Sequence, residues 1–461
     1  MSKQLRTDAG EDVVFEPARE VPVVWEGDLC VIGGSCTGVF AAVRAARLGL
    51  RVAVVENHTI FGGMATAARV NEWHSTYDVA NENQIIAGLT REVVERLSKR
   101  EAVIERARHE RTQYVLDPAA LALELDGLIR ENGVRPFLAA RCVGGVREGG
   151  VVRAAFLEDK SGRRALRARY FIDASGDGDL LRRVGFEAYQ NEKLQPVNLQ
   201  AVVAGFPGFS GEELTNLIQH NAEKFGYPIA NSKPWAACLP GMPDLRNVFG
   251  PRLNGVDASD ADQLTGALMA SRRCFRDFAD MVKSVNGSNL RVVAWAQALG
   301  VRETWHARCR HQLTGRDLLE GVEFPDSIAC GKYPIDIHSE TGTSLRYLDG
   351  REESIAPDGS GVWSRWREDA LSPACYHVPY RSLVPRDAEN LLVAGRLLDA
   401  DREAFGGVRV MVNCNQMGEA AGVASALALR DGHSVADVDA AELREALVAG
   451  GSAPTLVLRS P

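Results

Sequence analysis

The sequence predicts an α/β fold: a Rossmann-like three-layer domain interrupted by an inserted α+β substrate domain. Three observations carry that expectation. An apolar strand, a glycine turn, a helix and a second apolar strand occupy about 30 residues near the N-terminus, the size of a β-α-β unit. The rhythm is lost in the middle of the chain, where Trp, Pro and Gly multiply. It returns from Asn390 with another apolar strand and an Ala-rich helix. The expected division is a polar leader over 1–20, a nucleotide-binding first part over 21–190, an insert over 191–378 and a return segment over 379–461.

The first strand signal is Asp28-Leu-Cys-Val-Ile-Gly33, apolar throughout as befits a strand covered on both faces. Val39 to Leu48 follows as a helix of small residues, with Gly49 placed to close it. Arg51 to Glu56 is the second strand. Apolar residues at helical spacing predict a long helix over Gln84 to Arg106 and another over Pro118 to Asn132. A strand is expected at Val134 to Ala140, and residues 142–172 alternate as a β-meander with turns at Gly149-Gly150 and near Ser161-Gly162. Leu391 to Arg396 reads as a strand entering a turn, and Val412 to Leu429 as a helix ended at Gly432.

Composition narrows the function classes. A formal net charge of -8 argues against a nucleic-acid partner or an anionic membrane surface, both of which need clustered Lys and Arg. The Arg-rich stretch Arg163 to Arg169 alternates with Ala and Leu, as a strand with a solvated face does. Nine scattered cysteines without a C-x-x-C pair predict free thiols rather than a disulfide framework. With no apolar leader and no run long enough to span a bilayer, a cytoplasmic location is expected. Nothing in the sequence sets an oligomeric state.

Four segments carry chemistry. In VIGGSCTG, residues 31–38, a strand feeds a glycine turn and a helix N-terminus, which places backbone N–H groups where a pyrophosphate can sit. Glu56 ends the next strand, positioned to accept hydrogen bonds from a ribose. Ser35 occupies the middle position usually held by glycine. Phe61-Gly62-Gly63-Met64 lets the chain run close against a ligand. FIDASGDGD, residues 171–179, makes a tight turn at the sheet edge where ligands gather in open α/β sheets. Gly395-Arg396 and then Gly406 to Met411 bring a glycine and a helix N-terminus to one place, where the dipole favours negative charge.

Taken in order, GGSCTG, VVE, FGGM, IDASGDGD, YRSLVPRDAENLLVAGR and VRVM with GEAAG resemble the FAD-dependent oxidoreductase family of the glutathione-reductase-type flavoproteins. The segment from Arg302-Glu303 through LLEGVEFPDSIACGKYPIDIH resembles that family's insert. The resemblance spans about Val21 to Gly432 and implies an FAD/NAD(P)-binding Rossmann-like domain. It implies non-covalent FAD held through Gly33, Ser35, Gly38 and Glu56, with Gly62 and Gly63 near the ribityl-phosphate. Ser175 and Gly176 stand where the family has Thr-Gly. Gly395, Arg396, Arg409 and Val410 would line the ribityl and flavin-ring side. Gly34, Cys36, Thr37, Asn57, Met64, Cys142, Ala174 and Val408 complete the expected cofactor set. Relatives with covalent flavin carry His before the glycine pair, where this chain has Phe61.

The expected reaction transfers hydride between a small organic substrate and flavin N5, and needs a proton-handling group nearby. His74 stands first, because a chain leaving the Gly62-Gly63 turn passes the ring; an ordinary packed histidine is the alternative. His306 and Arg308 lie beside Arg302 and Glu303, which could equally form an ion-pair network. His377 and Arg381 sit at the junction back to the first domain, where Arg381 could bind a carboxylate or brace two domains. Cys309 with His306 and His311 lacks the ligand count of a zinc site, so no metal is expected. A flavin monooxygenase and a non-catalytic flavin subunit are the competing functional expectations.

Overall fold

The computed structural model describes residue 14 and residues 16–106, 114–227, 234–368 and 372–452. Most of the expected polar leader lies outside the described residues. The central element is a seven-stranded sheet. Strand Val23–Ile32 lies between Val52–Val55 and Gly162–Asp173, parallel to both. Arg135–Phe137 extends one side and Leu391–Val393 pairs parallel to the end of Gly162–Asp173. The strands Arg141–Glu148 and Val151–Asp159 join antiparallel, giving the expected meander.

Alternation along the first strand explains the three layers. Leu29 and Val31 face helix α1 (Cys36–Arg47), whereas Cys30 and Ile32 pack with Ala155 and Leu157 of the meander. All four are at most 2% exposed, so a strand without polar alternation is the only kind that fits. Helix α2 (Gly88–Ser98) is much shorter than the helix expected over 84–106. Gly88 and Glu101 both take positive φ and bound it, and Val103–Glu105 is a separate strand. A short apolar strand placed after a helix mimics continued helical periodicity. Helix α3 (Pro118–Glu131) forms as expected, with Pro118 in its first turn and the Asp117 carboxylate accepting from Ala119 and Ala120 N–H. The strand expected over 134–140 shortens to Arg135–Phe137.

Within residues 191–378 the sheets are antiparallel. Val197–Ala204 is central in a four-stranded sheet with Trp235–Leu239, Met242–Leu253 and Arg291–Trp295. Helices α4 (Gly211–Phe225) and α5 (Ala261–Asn286) pack beside it, capped by Ser210 and Asp260 and closed by left-handed Gly226 and Gly287. Beyond the short helix α6 (Gly315–Glu320), a four-stranded meander runs from Ile335 to Arg365. The chain then returns through helices α7 (Arg402–Val408) and α8 (Met411–Asp431) and ends its described part near α9 (Ala440–Ala449). Buried almost throughout, α8 packs directly on α1. Among the described residues no helix is long and apolar enough to cross a membrane.

Candidate cofactor and substrate site

The four chemistry-bearing turns converge. Gly33, Glu56, Ser175 and Gly395 line one groove of about 470 Å³ at the C-terminal edge of the parallel strands. Of the expected cofactor positions, Ser35, Cys36, Thr37, Asn57, Gly62, Gly63, Met64, Cys142, Ala174, Gly176, Arg396 and Arg409 line it too. Gly34, Gly38, Val408 and Val410 do not. Gly38 instead permits the turn to close, since a Cβ there would stand 1.8 Å from the Gly33 carbonyl oxygen. Val408 is packed in the core behind the groove, and Val410 caps α8.

Each turn is held rigid by its own sequence. Gly33 has φ +99°, and a Cβ there would meet the Ala174 carbonyl at 2.5 Å, so only glycine lets the two strand ends approach. Glu56 accepts from Gly34 N–H and His58 N–H, each at 2.7 Å, and so orients the turn as well as facing the groove. Asp173 is fully buried at the end of its strand and accepts from Ser175 N–H, the Ser175 hydroxyl, and Leu180 and Leu181 N–H. Burial pushes this carboxyl up from its ordinary range, and those four bonds oppose the rise.

The groove's polar chemistry fits a dinucleotide. The α1 N-cap, Ser35, makes no side-chain cap bond, so its side chain does not compete with an anion for the first-turn N–H groups. The N-cap of α8 also lacks a side-chain cap bond, and Met411 and Cys414 of its first turn face the groove. Three buried polar atoms of groove residues have no partner: Arg396 Nη1, Arg409 Nε and Asn415 Oδ1. Unpaired buried polar groups are costly, and a polar ligand along this wall would satisfy them. Cys36, Cys142 and Cys414 also line the groove, but burial pushes each thiol up to about 12, so none is a nucleophile at neutral pH.

One wall had no signal in the sequence. Ala258 to Leu268, at the start of α5, and Gln297 to Val301 overhang the groove with mostly apolar side chains. Gln297 and Ala298 N–H both donate to the Ala67 carbonyl, which ties this wall to the segment after Gly62-Gly63.

At the Arg409 end lies a polar cluster. Arg409 donates to Asp336 Oδ2 at 3.1 Å and to Gln195 at 3.2 Å. Asp336 also accepts from the Tyr333 hydroxyl at 2.8 Å and pairs with His338 Nε2 at 3.1 Å. The His74 ring lies against Tyr333, tilted by 32° with centroids 4.7 Å apart, so His74 joins this cluster through Tyr333 rather than by lining the groove. Arg252 bonds the Thr343 hydroxyl, and Arg302 bonds the Pro196 carbonyl and Asn198. Burial, then the Arg252 and Arg409 charges, brings Arg302 down to about 9. Burial is also the main cause that brings His338 down to about 3, so it is neutral at neutral pH. Asp336 stays ionised, held well below the usual carboxylate range by His338 and Arg409 against its burial. Arg409 alone pairs with Asp336, while Arg252 and Arg302 bond neutral oxygens and feel its charge through space, so three guanidinium cations stand near one carboxylate, an excess of two positive charges.

The other expected catalytic residues stand elsewhere. His306 is fully buried, bonded to Glu303 at 3.2 Å and stacked on Tyr189. Arg302 and Glu303 do not pair with each other, because Glu303 accepts from Asn191 and from Gln195 N–H while Arg302 turns the other way. Arg308 lies over the Tyr189 ring, 3.9 Å from Asp399. Arg381 makes a two-point pair with Asp326. His377 lies beside Cys330 and Cys375. None of the four lines the groove.

Glu56→Gln is expected to weaken FAD binding roughly 10- to 100-fold. The amide has one acceptor oxygen for two inward N–H donors, and bonds to a charged acceptor are worth about 1.5–3 kcal/mol each. Titrating apoprotein with FAD and following flavin fluorescence checks this; an affinity within about twofold of wild type refutes it.

No curated protein sequence matches the chain. Among solved structures it is similar to a geranylgeranyl bacteriochlorophyll reductase-like protein from Thermoplasma acidophilum, at 13% identity and TM-score 0.47, covering 95% of this chain and 89% of that one. It is also similar to the flavin-dependent brominase Bmp2, at 12% identity and TM-score 0.44, covering 89% and 81%. A flavoprotein/dehydrogenase from Cytophaga hutchinsonii aligns at 11% identity and TM-score 0.44, covering 92% and 82%. The family model for FAD dependent oxidoreductases matches residues 28–447. That match spans all four groove-forming turns: the chain belongs to the FAD dependent oxidoreductase family and is an enzyme whose cofactor is FAD.

Proposed function

We propose that this enzyme moves hydride between the flavin and a small organic anion, a carboxylate above all. The observation that carries the proposal is the two-charge excess of Arg252, Arg302 and Arg409 over Asp336 beside the groove. Guanidinium groups taken out of water need counter-charge, and their planar fork suits a carboxylate. Gln195 and Gln200 support the same reading: both are 1% exposed and carry unpaired side-chain atoms in this region.

The residues divide the work. FAD, when bound, supplies the two-electron acceptor or donor. The N–H groups at the start of α1 would face its pyrophosphate, with Glu56 at the ribose and Arg396 and Asn415 toward the α8 end of the groove. The apolar wall from α5 would keep water from the reacting carbon. Arg409 would orient the anionic group, and the Tyr333–His74 pair would hold or pass the proton, with Asp336 fixing the Tyr333 hydroxyl.

The test is anaerobic mixing of FAD-loaded protein with matched pairs of candidate substrates, each a free acid and its methyl ester, while visible flavin absorbance is followed. Bleaching by acids and not by their esters is the expected result. Equal bleaching by both removes the anion from the proposal, and protein that takes up no FAD removes the reaction.

A further inference from the structure

Behind α8, away from the groove, three metal-ligating side chains meet on the antiparallel pair Ser327–Gly331 and Tyr376–Pro379. Cys330 and His377 are direct cross-strand partners, so their side chains leave the same face of the pair. Cys375 lies one residue before the second strand and turns its sulfur toward them. One ligand atom from each of the three lies within 4.8 Å of the other two. Cys330 Sγ stands 3.6 Å from His377 Nδ1, and Cys375 Sγ stands 3.9 Å from Nε2.

Each sulfur–nitrogen separation, taken singly, is close to that of two ligands on one ion. With Zn–S near 2.3 Å and Zn–N near 2.0–2.1 Å, tetrahedral geometry puts sulfur about 3.6 Å from nitrogen and about 3.8 Å from a second sulfur. The two sulfurs face different ring nitrogens, so the imidazole must turn about its Cβ–Cγ bond, a soft torsion, to offer one nitrogen to both. The site is also backed from behind. Gln416 of α8 accepts from Cys330 N–H and donates to the Cys330 carbonyl, which fixes the strand that presents the first sulfur. Cys330 is fully buried and His377 is 5% exposed, whereas Cys375 is half-buried and opens the site toward solvent.

We propose that Cys330, Cys375 and His377 bind a zinc ion, with the fourth position left open. Two sulfurs and an imidazole nitrogen select zinc over the hard cations that prefer oxygen. Binding takes both cysteines as thiolates and the histidine as its neutral form, so each thiol that is protonated beforehand releases its proton to solvent and affinity rises with pH. The ion would clip together the two ends of the segment carrying Tyr333, Asp336 and His338. With three protein ligands the site is of the open kind, its fourth position taken by water, and the ion would at the same time brace the segment that carries the polar cluster; its presence does not depend on which substrate the enzyme uses.

The test uses the full-length FAD-loaded protein, produced with zinc present and dialysed against metal-free reducing buffer, with zinc measured by mass spectrometry. About one zinc per chain is expected. Cys375→Ser, at the half-buried position, is expected to retain at least tenfold less zinc at unchanged FAD content, which shows that the fold persists. Cobalt put in place of zinc should give a thiolate-to-metal absorption band that is lost in Cys375→Ser and in His377→Gln. Wild-type protein that binds neither zinc nor cobalt when reduced overturns the proposal, and so does zinc retained equally by all three proteins.

Discussion

Replacing Arg409 with Met is expected to lower kcat/KM for an acidic substrate by about 10²- to 10³-fold. Arg409 is the one arginine of the cluster that also lines the groove, so its guanidinium would touch the substrate's anionic group and the flavin side together. Losing a charge-assisted fork costs about 3–4 kcal/mol, and each 1.4 kcal/mol is tenfold in rate. The damage has a second part. Asp336 loses a partner at 3.1 Å while remaining 5% exposed, so its carboxylate becomes poorly compensated and its pKa rises toward the ordinary range. Arg409→Lys keeps the charge but not the fork and should recover only part of the rate. Two measurements isolate the effect. FAD content must stay near that of wild type, and the preference for acid over methyl ester must collapse. If FAD is lost as well, Arg302→Met, which stands outside the groove, carries the same test of acid preference. A kcat/KM within about threefold of wild type in an FAD-loaded variant defeats the role assigned to the cluster.

The turns that line the groove were legible because their signals are local. Gly33, Glu56 and Ser175 each lie just past the end of a strand, and strand, turn and helix follow within a few residues, so type and spacing alone place the turn. The polar cluster proposed for the substrate was not, because Arg252, Tyr333 with Asp336, and Arg409 come from three separate segments joined only by packing. His306, Arg308 and Arg381 show the opposite failure. Each is a polar residue at a junction, and the choice between substrate and structural partner rests on where Glu303, Asp399 and Asp326 fall in space. The Cys330–His377 pair escaped for a similar reason: cross-strand neighbours 47 residues apart leave no spacing signature. His74 was expected beside the flavin ring from its place after the Gly62-Gly63 turn, and it lies instead against Tyr333, off the groove lining.

The second large effect is structural. Gly418→Ala is expected to destabilise the enzyme by about 3 kcal/mol or more and to weaken FAD binding with it. A Cβ at Gly418 would stand 2.1 Å from the Thr37 carbonyl oxygen, and one at Gly422 2.3 Å from that of Ala41. Helices α8 and α1 therefore touch backbone to backbone, and no side chain can rotate aside to relieve the collision. Helix propensity would favour alanine by only about 1 kcal/mol, whereas forced separation in a packed core costs about 1–3 kcal/mol and more when backbone must move. Thr37 belongs to the first turn of α1 and lines the groove, so relief of the clash displaces N–H groups expected to hold the pyrophosphate. Gly266→Ala is the matched control: Gly266 is also mid-helix, in α5, but exposed and with nothing within 4 Å of a new Cβ. There the same substitution should be neutral or stabilise by about 0.5–1 kcal/mol. Urea unfolding of both variants, with and without FAD, reads the two signs side by side. Equal midpoints would mean that α1 and α8 are not in the close contact on which the pyrophosphate turn depends.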